Sequence, residues 1–190
     1  QPSNTPKNYS KCIPQNEILD TIFIFLYLSF SKYTNTIPSN LFTVWKKYWP
    51  TNFASYADNL FATFTTQVGY PVVTFNLTSP TTLVVSQQRF LLKDNDGADS
   101  SLLYTVPITY TTNVENNFNA TTPKMFISNT AAANTIILPS NTNWIIGNIQ
   151  ETGYYRTNYD VATWHKIHHL LFESNWGGIH ELNRAQVVDD

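Results

Sequence analysis

The apolar residues of this 190-residue chain change period twice, and the two changes limit what it can fold into. Between Pro38 and Val68 they recur at helical spacing, from Pro71 they alternate, and at Asp160 the helical spacing returns. The second change is the sharper. Gly153-Tyr154-Tyr155-Arg156-Thr157-Asn158-Tyr159-Asp160, followed at once by Val161-Ala162-Thr163-Trp164, reads as a strand running into a helix. Tyr155, Thr157 and Tyr159 share one side of an extended segment, and Asp160 stands where a helix N-cap belongs.

The remaining elements follow from the same rule. Residues 1–16 are polar with three prolines and read as loop. Residues 17–33 hold the run Ile22 to Phe30, which predicts a buried helix and falls short of the about 20 apolar residues that cross a bilayer. Pro38-Ser39 opens a second helix with Leu41, Phe42, Trp45 and Trp49 on its face, ended by Pro50. A third is predicted over 53–68, with Phe53, Ala57, Leu60, Phe61, Phe64 and Val68 on one side and Gly69 just past its end. Strands are predicted around Val73 and Phe75, over 83–92, 104–110, 124–127, 135–138 and 144–149, with turn chemistry between them. Pro107 makes its strand an edge or a bulge. From Asp160 the helical stripe is Val161, Trp164, Ile167 and Leu171, with Leu170 beside it. Asn175 and Gly177-Gly178 break it, and a last helix from about Ile179 includes Leu182, Ala185, Gln186 and Val188 and meets no stop signal at Asp190. The fold class is therefore mixed with separate α and β regions: N-terminal helices, a central antiparallel immunoglobulin-like β-sandwich, and the start of an α-helical domain.

Composition narrows the setting. Charged residues make up 13% of the chain, about half of the usual ~25%, and Asn, Thr and Ser take their place. Such a surface suits an extracellular or lumenal protein. A net charge of −2 without a Lys/Arg cluster selects no nucleic acid or membrane surface. Cys12 is the single cysteine, which excludes an internal disulfide. Asn8, Asn76 and Asn119 open N-glycosylation sequons that count only in the secretory pathway.

Few residues suggest chemistry. His165, His169 and Glu173 lie four apart on one helical face, and two histidines at i and i+4 are a zinc-ligand spacing. Lys166, however, follows His165 where a general base would stand. The histidines also point away from the apolar stripe, so the expected reading is a solvated polar face. Asp94, Asp96 and Asp99 form a turn cluster without the Gly and terminal Glu of a calcium loop. Tyr104 and Tyr110 offer an aromatic platform only if they are not core, and their regular alternation predicts core. No catalytic residue and no metal site is assigned.

Three blocks resemble the aminopeptidase N-like zinc metallopeptidases. The first is Tyr27-Leu28, Tyr33-Thr34-Asn35 and Ser39-Asn40-Leu41-Phe42, leading to Thr66-Gln67-Val68-Gly69-Tyr70-Pro71-Val72-Val73. It is similar to the last helices of the family's catalytic domain and the approach to its β-sandwich. The second is Ser86-Gln87-Gln88-Arg89-Phe90 with Tyr104-Thr105-Val106-Pro107-Ile108, similar to sandwich strands. The third is the 153–160 motif with Trp164 and Asn183-Arg184-Ala185-Gln186, similar to the start of the family's C-terminal helical domain. The resemblance implies structural roles for Gly69, Pro71, Gly153, Tyr155, Arg156, Asn158, Tyr159, Asp160, Trp164, Asn183, Arg184 and Gln186. It also implies four regions: 1–20 unassigned, 21–70 catalytic-domain tail, 71–150 sandwich, 151–190 beginning of the helical domain.

The departures matter as much. The family binds zinc through His-Glu-x-x-His and a downstream Glu, anchors the substrate amino terminus with a Gly-x-Met-Glu-Asn loop, and uses a transition-state Tyr. None occurs in this chain, and the resemblance places all of them upstream of residue 27. The expectation is a non-catalytic portion, a fragment, of an enzyme whose complete form takes zinc and removes N-terminal amino acids from peptides. Its partners would be the rest of that chain and, through the helical domain, a second copy; its location would be the cell surface or outside the cell. The alternative is an inactive β-sandwich recognition module of an extracellular glycoprotein. Arg156 and Arg184 are either two solvated arginines or a tie across the junction, to Asp160 or Asp189.

Overall fold

A computed structural model of the chain describes residues 32, 35, 37–47, 49–91, 101–172 and 178–189. Cys12, Asn8, Glu173, the Asp94/Asp96/Asp99 turn and the predicted 17–33 helix, apart from Lys32, lie outside the described residues. The described residues fall into two compact units, the first ending at Ala54 and the second beginning at Ser55.

In the first unit, helix α1 (Pro38–Lys46) carries Pro38 in its first turn, where the missing N–H has no helical partner to lose. It stops at Lys46, short of Pro50, because the Lys47 amide tightens back onto Val44 at 3.2 Å. Trp45 meets Trp49 edge-on at 4.4 Å and Phe42 at 5.8 Å, and the Trp49 indole donates to the Phe53 carbonyl at 2.8 Å. The predicted 53–68 helix is two pieces, a 3-10 turn over Thr51–Tyr56 and helix α2 (Ala57–Thr66).

The buried residues of α2 are Ala57 and Thr63, while Leu60, Phe61 and Phe64 are half-buried and Val68 is exposed. Thr63 turns inward because its hydroxyl is satisfied there: it donates to Asn59 O at 2.8 Å and accepts from the Thr105 amide at 3.3 Å. Gly69 does not cap this helix. It has φ +94°, and a Cβ there would stand 2.3 Å from the Phe90 carbonyl oxygen, so the chain needs glycine to swing into the first strand.

Strands β1 (Tyr70–Ser79) and β2 (Thr82–Phe90) form a hairpin with Tyr70 opposite Phe90 and Leu77 opposite Leu83. Their alternation is as read: Val73, Phe75, Leu83 and Val85 are fully buried. Strand β6 (Ala133–Ile137) adds antiparallel to β2, and β8 (Arg156–Tyr159) adds to β1, giving the order β6-β2-β1-β8. The β1–β8 pair is parallel, from Val72 opposite Arg156 to Phe75 opposite Tyr159. The antiparallel expectation therefore holds for the other pairs and fails here, where a long connection lets the chain return in the same direction.

The segment from Tyr104 to Thr112 is not one strand. It divides into β3 (Val106–Ile108), paired with β5 (Met125–Ile127), and β4 (Tyr110–Thr112), paired with β7 (Ile145–Gly147). The partner changes at Thr109, whose carbonyl and hydroxyl accept from the amides of Asn148 and Ile149, each at 2.9 Å. Pro107 is tolerated because β3 has a single neighbour strand. The described strands thus make one four-stranded sheet and two two-stranded ladders around a common core that includes Phe75, Val85, Tyr104, Val106, Ile108, Ile127, Ile145 and Ile167. Helices α3 (Val161–Phe172) and α4 (Glu181–Asp189) complete a mixed α and β architecture.

Candidate functional site

The 153–160 motif, Trp164 and the Asn183–Gln186 block meet at the seam between β8, α3 and α4. Tyr155, Thr157 and Tyr159 are buried, and Arg156 and Asn158 face out, as the alternation requires. Gly153 is needed for close approach, since a Cβ there would lie 2.2 Å from the Tyr155 ring. Tyr159 stacks on Phe75 at 5.8 Å, meets Trp164 edge-on at 5.0 Å, and its hydroxyl accepts from the Gly147 amide at 3.0 Å. The Trp164 indole donates to Asn158 Oδ1 at 3.3 Å.

Asp160 caps α3. Oδ1 accepts from the Thr163 amide at 3.0 Å, and Oδ2 accepts from the Thr163 hydroxyl at 2.6 Å and from the Leu77 amide at 3.0 Å. The last bond continues the β1–β8 pairing beyond its backbone ladder, so one carboxylate ties the sheet to the helix start. Burial acts to raise its pKa, but these donors outweigh burial and hold it below the ordinary aspartate value. Along α3 the buried positions are Thr163, Ile167 and Leu171, whereas Val161 is 72% exposed. The predicted stripe is rotated because Thr163 must face Asp160 to complete the cap.

Helix α4 departs further. Its buried residues are Asn183 and Gln186, and the expected Leu182 and Val188 face out, Val188 being 85% exposed. Asn183 Nδ2 donates to Asn148 O at 2.9 Å and to Gln186 Oε1 at 2.8 Å, and its Oδ1 accepts from the Gln150 amide at 2.9 Å. Gln186 Nε2 reaches Thr157 Oγ1 at 3.2 Å. Asn148 holds the other side: Nδ2 donates to the carbonyls of Gly153 and Tyr155, and Oδ1 accepts from the Gly153 amide at 2.8 Å. Asn148 and Gln150 have φ of 50° and 53°, and this left-handed backbone aims the Asn148 carbonyl and the Gln150 amide at Asn183. Sequence reading missed Asn148, Gln150 and Thr109; asparagine's tolerance of left-handed backbone was the available signal for the first.

Arg156 ties across the junction: its guanidinium donates to the Asp189 backbone oxygen and carboxylate, each at 3.2 Å. Both side chains are largely exposed, so the pair is weak. Arg184 lies half-buried on the same helix. Beside the ion pair opens a groove of about 330 Å³ lined by Tyr70, Glu151, Tyr154, Arg156, Gln186 and Asp189. Burial raises the Tyr155 phenol well above its ordinary value. Thr109 stands close enough to oppose that shift, although no hydrogen bond of good geometry forms.

A second latch lies in the resemblance block at 86–90. The buried Gln87 donates through Nε2 to the carbonyls of Tyr104, Ser128 and Ala131 and accepts from the Tyr104 amide at 2.9 Å. Arg89 and the Tyr104 hydroxyl both donate to Val68 O, at 2.7 and 3.1 Å. Tyr104 and Tyr110 are core, not platforms. Pro71 is buried opposite Arg89.

His165 and His169 are exposed and line a second groove of about 500 Å³ with Asn143, Trp144, Lys166 and Leu170. Among the described residues no three of His, Cys, Asp and Glu converge. The two imidazoles share their groove with the Lys166 ammonium, which repels a cation. These residues do not fit a catalytic zinc. No helix of the described residues is long and apolar enough to cross a membrane.

No family model matches the chain. It is 37% identical over 131 residues to an aminopeptidase N of Plutella xylostella, covering 67% of this chain and 14% of that protein. It is 35% identical over 133 residues to a membrane alanyl aminopeptidase of Heliothis virescens, covering 68% and 13%. Over 179 residues it is 29% identical to the thyrotropin-releasing hormone-degrading ectoenzyme of Rattus norvegicus, covering 86% and 16%. The chain thus spans about one-seventh of the length of the curated relatives it matches. With the 153–160 motif built into the seam and these likenesses running across most of the chain, it belongs to the aminopeptidase N-like family.

Proposed function

We propose that this chain is a non-catalytic portion of an aminopeptidase N-like zinc peptidase, and that it holds a β region against the first helices of a helical domain. The observation that carries this reading is the seam, where Asn148, Thr157, Asn183, Gln186 and Asp160 spend their polar atoms on one another and on backbone. Such groups position elements. Residues 21–70 form the tail of the catalytic domain, 71–150 an immunoglobulin-like spacer, and 151–190 the opening of the helical domain. The complete protein takes zinc, removes N-terminal amino acids from peptides at a cell surface, and pairs with a second copy through its helical domain. Relatives named a membrane aminopeptidase and an ectoenzyme support that location.

The test is turnover. The purified chain with added zinc should release no p-nitroaniline from amino-acid p-nitroanilides beyond zinc alone. Chelator-sensitive release that scales with the chain would overturn the reading.

A further inference from the structure

Among the described residues of the second unit, the four-stranded sheet buries one face in the core and leaves the other half-buried to exposed. On the open side lie Thr74, Asn76, Val84, Ser86, Thr135 and Ile137, placed there by the registers β1–β2 and β2–β6. None of these is charged; Arg156 stands at the β8 margin. No charged residue occurs anywhere from Met125 to Gln150, so the β6 edge carries none of the lysines that keep exposed strands from pairing with other chains. Ile137 on that edge is 77% exposed. A face and edge of this kind need cover.

The sequon Asn76-Leu77-Thr78 runs along β1 in this face. In a strand, residues i and i+2 share a side, so Asn76 and Thr78 both face solvent, whereas Leu77 packs against the core. A shift of one residue would send the amide inward and forbid any substituent. Among the described residues the Asn76 side chain has no hydrogen-bond partner, and Asn76 lies just past the β1–β8 ladder, which ends at Phe75. Its neighbour across β2 is Val84, itself opposite Thr135 of β6.

We propose that Asn76 carries an N-linked glycan that covers the uncharged outer face of the sheet and the β6 edge. This rests on the secretory setting of the proposed function. The donor is a lipid-diphosphate-linked oligosaccharide. Asn76 Nδ2 forms a bond to the anomeric carbon of the first sugar as the bond from that carbon to the diphosphate oxygen breaks. The diphosphate leaves with its oxygen and the electron pair, and the amide gives up one proton to solvent.

The experiment places the full 190-residue chain behind a secretion leader in insect cells, so that the site is read whatever route the native protein takes. Peptide mass spectrometry before and after amide-cleaving glycosidase should show Asn76 occupied, and Thr78→Ala should abolish occupancy at Asn76 while leaving Asn119 as it was. Secreted Asn76→Gln chain should shift on gel filtration from monomer to larger species, and Asn76→Gln with Thr135→Lys on the edge should return to monomer. An unoccupied Asn76 in secreted chain overturns the site. An occupied site with a monomeric Asn76→Gln chain overturns the covering role. Glycosidase sensitivity of the native full-length protein reads the secretory setting separately.

Discussion

The β1–β2 hairpin and helix α4 are held by opposite means. The hairpin buries Val73, Phe75, Leu83 and Val85 and turns Asn76 and Thr78 out. Helix α4 buries Asn183 and Gln186, rests only the half-buried Val187 on the core, and turns Leu182 and Val188 out. In the hairpin, burial of apolar area supplies the stabilisation and the ladder supplies direction. In α4 it is the matching of amide donors and acceptors that supplies it, against left-handed backbone at Asn148 and Gln150. A buried amide is stabilising only while every partner is present, so the second mode is the more specific and the more brittle.

Mutations separate the two modes. Phe75→Ala removes the ring that stacks on Tyr159 and should lower unfolding free energy by about 4 kcal/mol in urea melts, the largest loss in this set. Asn183→Ala leaves the Gln150 amide and Gln186 Oε1 without their Asn183 partner, takes one of two donors from Asn148 O, and should cost about 3 kcal/mol. A loss below about 1 kcal/mol there would mean that water replaces the amide and the contrast is weaker than drawn.

Asp160→Ala removes the cap and the Leu77 bond and should cost about 1–2 kcal/mol at neutral pH. Because the folded carboxyl is held below its unfolded value, its contribution is fully present above about pH 4 and fades as pH falls through the depressed folded value. Wild type and Asp160→Ala should therefore converge in acid, and a gap that widens on acidification would contradict the assignment. Arg156→Ala should cost about 0.5 kcal/mol or less, because its ion pair with Asp189 is exposed.

What could be read in advance follows the same division. The hairpin was legible because apolar alternation is a direct image of burial. The Tyr155–Thr157–Tyr159 face and the Asp160 cap were legible because each depends on spacing within one short segment, whereas the Arg156–Asp189 tie was only one of several open alternatives, since its partners lie far apart in sequence. The rotation of α3 was not, since Thr163 outranks Val161 only once the Leu77 amide and the cap converge on Asp160. The inward face of α4 was hidden from hydrophobic periodicity, which scores Asn183 and Gln186 as surface, although the resemblance gave both residues structural roles. The change of partner at Thr109 was hidden because a β-branched run looks the same whether it has one neighbour strand or two in succession.

The central claim is that α4 is held by its amides, and Asn183→Leu tests it by sign. Leucine is similar in size and more apolar, so a helix held by apolar burial would gain protection. Native-state hydrogen exchange of Asn183→Leu should instead show the 181–189 amides exchanging at least tenfold faster while those of β1 and β2 keep their protection. Unchanged or increased protection across 181–189 would contradict the account.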